Sequence, residues 1–239
     1  MLFRSNTAVT FTGTFWDAPG KRHTAIWQFD NLTTGATITE PVGSKNGTAK
    51  GTYTFKEPGV YKVMLKVTDN TGVTSWVDTQ DDVESIVVIY DPASGYTIGG
   101  GWINSPLGAY VADLTLTGKM SLGFNSKFFK GATNPKGESQ MDFLLGNFEF
   151  NALNYDYLVI EKARAQFRGF GKVNGVSGYD FIVTVIDGNL PGGDGVDKFR
   201  IKIWEKTTGI IVYDNQMGAS DAADPIMPLG TGGDIAIKK

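Results

Sequence analysis

The residues best suited to chemistry lie in one glycine-rich segment, 187–197, whose sequence is DGNLPGGDGVD. Four of its side chains carry ligand oxygens: Asp187, Asn189, Asp194 and Asp197. Closely spaced carboxylate and carbonyl oxygens are the ligands that Ca²⁺ prefers, and glycines let the backbone fold around an ion. The segment therefore predicts a Ca²⁺ site, with a solvated glycine turn between two strands as the alternative.

A second acidic stretch lies between residues 207 and 237, where neither Lys nor Arg occurs. Its oxygen-bearing side chains include Asp214, Asn215, Asp221 and Asp224. If this stretch folded back onto segment 187–197 it would complete an ion site; otherwise it is an exposed loop. The hexapeptide 192–197 also fits the G-G-x-G-x-D pattern of calcium repeats, but those repeats share ions between stacked copies, and one copy occurs here.

Strand alternation places cationic residues on one face of each of two predicted strands. In segment 198–206 that face holds Lys198, Arg200, Lys202, Trp204 and Lys206. In segment 162–172 it holds Lys162, Arg164, Gln166, Arg168, Phe170 and Lys172. If the two strands are close, they form a basic face with exposed rings that would bind an anionic polysaccharide. The alternative is an ordinary solvated sheet face that resists edge pairing.

Tryptophans extend the set of carbohydrate candidates. The predicted glycan contacts are Trp204, Lys202, Arg200 and Trp102. Trp102 follows Gly99–Gly101, and its alternative role is packing, with glycines making room for the ring. Trp16 and Trp76 lie near turns, and a pair of exposed tryptophans on one rim would favour carbohydrate binding.

The residue inventory gives little support to catalysis. With no Cys and a single His, His23, the chain lacks a thiol nucleophile, a thiolate metal site and any site built from two imidazoles. No G-x-S-x-G motif occurs, and no motif selects a pair of carboxylates for glycoside hydrolysis. We therefore predict no catalytic residue and a protein that is not an enzyme.

Composition bounds the class of protein and its partners. Of the 239 residues, 41% are hydrophobic and 20% are charged, which is typical of a globular chain and not of a disordered one. The net charge of −3 argues against a nucleic-acid partner. No apolar run reaches the roughly 18 residues that a membrane helix needs, so we expect no membrane insertion.

Alternation of apolar and polar residues indicates β-strands through most of the chain. Tyr61, Val63, Leu65 and Val67, for example, alternate with Lys62, Met64, Lys66 and Thr68 between two turn sequences. Residues 181–186 are apolar at nearly every position, which predicts a central strand covered on both faces. The predicted fold is all-β, with two tandem antiparallel β-sandwich domains, the second a β-sandwich or jelly-roll-like domain.

The predicted domains span residues 6–91 and 96–239, because the loop-forming sequence DPASG at 91–95 separates them. Residues 1–5, MLFRS, match what a short-read sequencing adapter encodes when read from ATG. We expect a non-native scar on a truncated metagenomic fragment and leave these residues out of the fold prediction. The alternative is a genuine short N-terminus.

Two motifs of the first domain resemble those of the PKD domain, an immunoglobulin-like sandwich. Residues 27–30, WQFD, resemble its W-x-F-G pattern, and residues 55–72, FKEPGVYKVMLKVTDNTG, resemble its Y-x-x-P-G-x-Y-x-V-x-L-x-V-x-D-x-x-G pattern. The resemblance implies that Trp27 lies in the core. The sequence departs from the family at Asp30-Asn31-Leu32, which replaces a G-D-G turn, so no turn-bound ion is carried over.

The second domain resembles the β-rich domain that often follows PKD domains in secreted and cell-surface bacterial proteins, through residues 90–92, 99–106 and 197–204. The resemblance implies a non-catalytic extracellular structural or adhesive module, a spacer or interaction segment of a larger protein. The alternative is a carbohydrate-binding accessory module of a secreted hydrolase. Implied partners are other domains of the same polypeptide and a polysaccharide or cell-surface protein.

Overall fold

The chain divides into two units, Met1–Ile89 and Tyr90–Lys239. The computed structural model describes residues 2–17, 21–57, 59–80, 83–90, 95–128 and 132–238. Residues 91–94 of the predicted linker lie outside this described part of the chain. Both units are built from antiparallel strands, which confirms the all-β prediction.

The strands of the first unit are β1 (Leu2–Arg4), β2 (Ala8–Trp16), β3 (His23–Phe29), β4 (Leu32–Gly35), β5 (Thr37–Thr39), β6 (Asn46–Thr54), β7 (Gly59–Asp69), β8 (Thr74–Val77), β9 (Thr79–Gln80), β10 (Val83–Glu84) and β11 (Ile86–Tyr90). One sheet has the order β1-β11-β7-β3-β4, with β8 beside β7. A second sheet has the order β2-β6-β5, and β9 pairs with β10.

The two larger sheets of this unit bury a shared core. Val9 and Ala49 come from one sheet, and Trp27, Phe29 and Leu65 come from the other. Their side chains alternate with exposed neighbours, as expected for strands with one buried face. Trp27 is therefore a core residue, as predicted.

The N-terminal residues, which the fold prediction left out, form part of the sheet that contains β11, β7, β3 and β4. Leu2–Arg4 forms an edge strand beside β11. Phe3 packs against the buried core of the unit. The apolar ring at the second position of this short strand accounts for its docking.

The strands of the second unit are β12 (Tyr96–Ser105), β13 (Gly118–Lys127), β14 (Lys136–Phe143), β15 (Phe148–Glu161), β16 (Arg164–Val173), β17 (Val176–Ile186), β18 (Lys198–Glu205), β19 (Ile211–Asp214) and β20 (Asp234–Lys238). A 3₁₀ turn, Leu144–Gly146, joins β14 to β15. Among the described residues, no helix has the length and apolarity to span a membrane.

These strands form one sheet with the order β19-β18-β17-β16-β15-β14-β13-β12-β20. From β12 to β19 the order follows the chain, which is a meander and differs from the Greek-key order of a jelly roll. The sheet curls so that its inner face closes on itself. Phe124 of β13 and Phe199 of β18 are five strands apart, about 24 Å in a flat sheet, yet their ring centroids are 5.9 Å apart.

One further prediction, the strand covered on both faces, is confirmed in this sheet. Residues 181–185 of β17 are buried on both faces. Gly169 faces a bulge in β15, and a Cβ added there would lie 1.9 Å from the carbonyl oxygen of Asn154, so the close approach requires glycine. Gly123 differs, because a Cβ there would meet nothing within 4 Å.

Candidate functional site

The carboxylates of segment 187–197 hold backbone amides. Asp187 is 6% exposed, and its Oδ2 accepts the amide N–H of Ile237 at 3.1 Å. Asp197 accepts the amide N–H of Gly188 through Oδ1 at 2.8 Å and that of Ile235 through Oδ2 at 2.7 Å. The two side chains therefore tie the β17–β18 connection to the last strand, β20.

The other two predicted calcium ligands lie at the surface. Asp194 pairs with Lys198 at 2.5 Å, a hydrogen bond that holds the pKa of Asp194 below its usual value. Asn189 is exposed. Across the described residues, no group of three or more His, Cys, Asp or Glu side chains is placed to hold a metal ion. The calcium site thus stays a prediction. The hydrogen bonds that Asp187 and Asp197 accept from backbone amides account for the positions of these two carboxylates without an ion.

The predicted basic face exists, but its centre is covered, whereas Lys162 and Lys206 beside the strand ends are exposed. Arg200 is only 2% exposed, which corrects its assignment as a glycan contact. Its guanidinium donates to both oxygens of Asp214, from Nε at 3.2 Å and from Nη2 at 3.0 Å. It also donates to the carbonyls of Ser220 and Ala219, at 2.5 and 2.9 Å. Burial of so large a cation is tolerated because these groups satisfy its donors.

The second acidic stretch supplies this cover. Asp221 pairs with Lys202 at 2.8 Å, and its backbone carbonyl accepts from Gln166 at 2.7 Å. Asp224 accepts from Arg164 at 3.0 Å. Residues 219–224 of the stretch therefore lie over the outer face of β16–β18, which corrects both alternatives for it, an ion site with segment 187–197 and an exposed loop.

The rings of the two predicted aromatic contacts are engaged by neighbours. Arg168 and Lys202 lie 5.1 and 5.4 Å from the ring centre of Trp204, which is half-buried. Lys119 lies 4.2 Å from the ring centre of Trp102, and a Cβ on Gly230 would overlap that ring at 2.0 Å. Trp102 is therefore packed, in line with its alternative role, and the glycine that makes room for it is Gly230.

The first unit places two exposed tryptophans on one groove. Trp16 is 69% exposed and Trp76 is 65% exposed, and both line a groove of about 430 Å³. Trp16 ends β2, and Trp76 lies in β8 beside β7, so the two rings come from different sheets. The groove thus lies at the edge of the sandwich.

Apolar and polar side chains share the wall between the two rings. Phe15, Leu65 and Val67 line its apolar part, with Ser75 nearby. Alternation along β2 explains the placement, because Phe15 turns toward the core while its neighbour Trp16 turns outward.

A network of charged groups forms the polar end of this groove. Lys21 donates to Asp69 at 2.5 Å and lies 3.7 Å from Asp17. His23 contacts Asp17 through Nε2 at 2.9 Å and Glu40 through Nδ1. Burial lowers the pKa of His23, but the hydrogen bonds to Asp17 and Glu40 outweigh burial and hold that pKa above its usual value.

Asp69 is the best-satisfied carboxylate of this network. Its Oδ1 accepts the hydroxyl and amide of Thr71 at 2.7 and 2.8 Å, and the amide of Val73 at 2.9 Å. The hydrogen bond from Lys21, followed by those of Thr71 and Val73, holds the pKa of Asp69 far below its usual range. The hydrogen bond to Asp69 raises the pKa of Lys21 in turn.

A second cavity of about 310 Å³ adjoins the same polar groups. Both spaces are lined by Phe15, Asp17, Lys21 and His23. Glu40 lines the second cavity but not the groove. Sequence reasoning singled out Trp16 and Trp76 but not Asp17 or Glu40. No local motif signals those two carboxylates, because they reach His23 from separate segments, just after the ends of β2 and β5.

Comparison with known proteins adds little to this geometry. No family model matches the chain, and no curated protein is significantly similar to it. Two solved structures are similar over 92% of this chain, with a TM-score of 0.27 and 10% and 11% identity. Both are of an uncharacterized protein from Listeria monocytogenes EGD-e, one in complex with alpha-D-glucose, beta-D-glucose, magnesium and calcium. The chain spans about a fifth of that protein, 19% of its length, and a likeness this weak assigns neither fold nor ligand.

Proposed function

We propose that this chain is a non-catalytic module of a larger extracellular or cell-surface bacterial protein, and that its first unit contacts carbohydrate through the groove between Trp16 and Trp76. The observation that carries the proposal is the convergence of two exposed indoles on one groove with a charged, hydrogen-bonding end. The proposed location rests on the resemblance of the second domain at residues 90–92, 99–106 and 197–204, and the PKD resemblance rests on the motifs at 27–30 and 55–72.

The chemistry of the groove suits a saccharide. An indole presents a large rigid apolar face with little conformational entropy to lose, and a sugar ring offers a matching face of C–H groups. Sugar hydroxyls need both donors and acceptors, which Lys21 and the carboxylates of Asp17 and Asp69 supply at one end. Large apolar side chains left this exposed are typical of interaction surfaces.

The spacer role of the module is supported by the second unit. The buried pair of Arg200 and Asp214 and the amide contacts of Asp187 and Asp197 tie distant parts of that chain segment together. Such ties suit a module that keeps its shape between other domains of one polypeptide.

The proposal is tested by screening the full chain against a panel of soluble and insoluble polysaccharides. We expect retention by at least one, and at least a tenfold loss of affinity in Trp16→Ala and Trp76→Ala. Trp204→Ala is the matched control, because its ring is already engaged by cations. Retention lost only in Trp204→Ala would move the site to the second unit, and no retention by any polysaccharide would reject carbohydrate contact.

A further inference from the structure

His23 lies between two carboxylates, one at each ring nitrogen. Nε2 contacts Asp17 at 2.9 Å and Nδ1 contacts Glu40. A neutral imidazole has one N–H donor and one lone pair, whereas an imidazolium donates from both nitrogens. Because carboxylates only accept, both contacts can be hydrogen bonds only when His23 is protonated.

The ring is held firmly in this position. The side chain of His23 is 5% exposed, and the ring of Phe15 lies 4.9 Å from it, centre to centre. The charged groups that line the two spaces around it are Asp17, Lys21, Arg22, Glu40, Lys45 and Asp69. Ala18, Pro19 and Gly20, outside the described residues, carry no titratable side chain.

We propose that protonation of His23 closes a clamp on Asp17 and Glu40, and that this clamp makes the groove between Trp16 and Trp76 pH-sensitive. The inference deepens the proposed function and rests on it for the ligand. His23 is the single histidine of the chain, and histidine is the side chain whose charge ordinarily changes between about pH 5 and pH 8. One residue therefore controls the response.

Loss of the proton acts unequally on the two carboxylates. One ring nitrogen then turns a lone pair toward a carboxylate oxygen, and that contact becomes repulsive. Asp17 keeps Lys21 at 3.7 Å, whereas Glu40 has His23 as its one side-chain partner among the described residues. Glu40 is therefore the group released as the pH rises.

Loss of the proton reaches the groove through Asp17, because its contact with His23 Nε2 then lacks the positive charge of an imidazolium. Asp17 follows Trp16 directly at the end of β2 and lines the groove with it. While the clamp is closed, the carboxylate oxygens of Asp17 are held in fixed positions. Binding of a sugar then costs less conformational entropy, because this side chain is already ordered. We therefore expect carbohydrate to bind more tightly below the His23 titration than above it.

The first test needs no ligand. The Cε1–H resonance of the single histidine reports its titration in the full chain, and 5-fluorotryptophan labelling gives fluorine resonances for the 5 tryptophans, assigned through Phe variants. We expect the Trp16 resonance to shift with the same midpoint as His23, and the response to vanish in His23→Gln. Glu40→Gln should move the midpoint to lower pH, and Glu57→Gln, on an exposed residue of the same unit, should leave it unchanged.

The second test separates this proposal from the proposed function. Retention on any polysaccharide found in the screen is measured at one pH below and one pH above the His23 midpoint that the first test gives. Weaker retention at the higher pH, abolished in His23→Gln, supports the clamp. Equal retention at both, or a Trp16 resonance that ignores the His23 titration, overturns it while carbohydrate binding stands. Failure of retention at both values rejects the proposed function, and the resonances still decide the clamp.

Discussion

The buried ion pair of the second unit gives the sharpest prediction of stability. Removing the carboxylate in Asp214→Ala leaves the Arg200 guanidinium, 2% exposed, with two carbonyl acceptors and no counter-charge. Breaking a buried pair in this way costs about 3–5 kcal/mol. At about 2–4 °C per kcal/mol for a domain of this size, the Tm of the second unit should fall by roughly 6–20 °C.

Differential scanning calorimetry of the full chain measures this effect, with Asp194→Ala as the control. Asp194 also pairs with a cation, but its side chain is 59% exposed, so the Tm should stay unchanged. The double variant Arg200→Met with Asp214→Leu should recover part of the loss, because no charge is then left unpaired. Recovery should be incomplete, since the carbonyls of Ser220 and Ala219 lose their donors. A Tm of Asp214→Ala equal to that of the control would refute the reasoning.

Three further predictions concern glycine, calcium and pH. Gly169→Ala should destabilise the second unit by about 1–3 kcal/mol through overpacking, measured by urea unfolding, whereas Gly123→Ala, with open space around its Cβ, should not. Asp197→Asn should cost about 1–3 kcal/mol by opposing an N–H₂ group to an amide donor. The predicted ion site requires a Tm that is higher in millimolar Ca²⁺ than in EDTA and that loses this difference in the variant; equal Tm values in the two conditions would reject it. His23 has a raised pKa, so its stabilisation is complete below its ordinary value of 6.5 and is lost as pH rises through the folded value. Asp69 has a lowered pKa, so its stabilisation holds above 3.8 and is lost as pH falls toward its folded value. The Tm of the first unit should therefore decline on both sides, with His23→Gln flattening the alkaline limb and Asp69→Asn the acidic one.

Local patterns predicted the strands because the burial of alternate residues is a local property. The alternation of Tyr61 to Val67 lies in β7, and the apolar run 181–186 forms the end of β17, where residues 181–185 are covered on both faces. The curl of the nine-stranded sheet had no such signal, because it depends on contacts such as Phe124 with Phe199.

The candidate sites show the same contrast between local sequence patterns and contacts made by distant segments. Sequence placed Arg200 correctly on the face opposite Phe199, but it showed nothing of what covers that face. Likewise, the oxygens of Asp187 and Asp197 suggested a calcium site because their true partners are not visible in the local sequence. Those partners, the amides of Ile237 and Ile235, lie 50 and 38 residues further along the chain.

By itself, the sequence determined the all-β class, the core position of Trp27 and the solvent-facing sides of most strands. Only the tertiary structure decided which charges meet and which rings stay exposed. It paired the acidic stretch with the basic face, and it brought Trp16 and Trp76 to one groove beside His23. The physical reason is range: alternation acts between neighbouring residues, whereas a carboxylate is neutralised, or a ring covered, by whatever segment the fold lays against it.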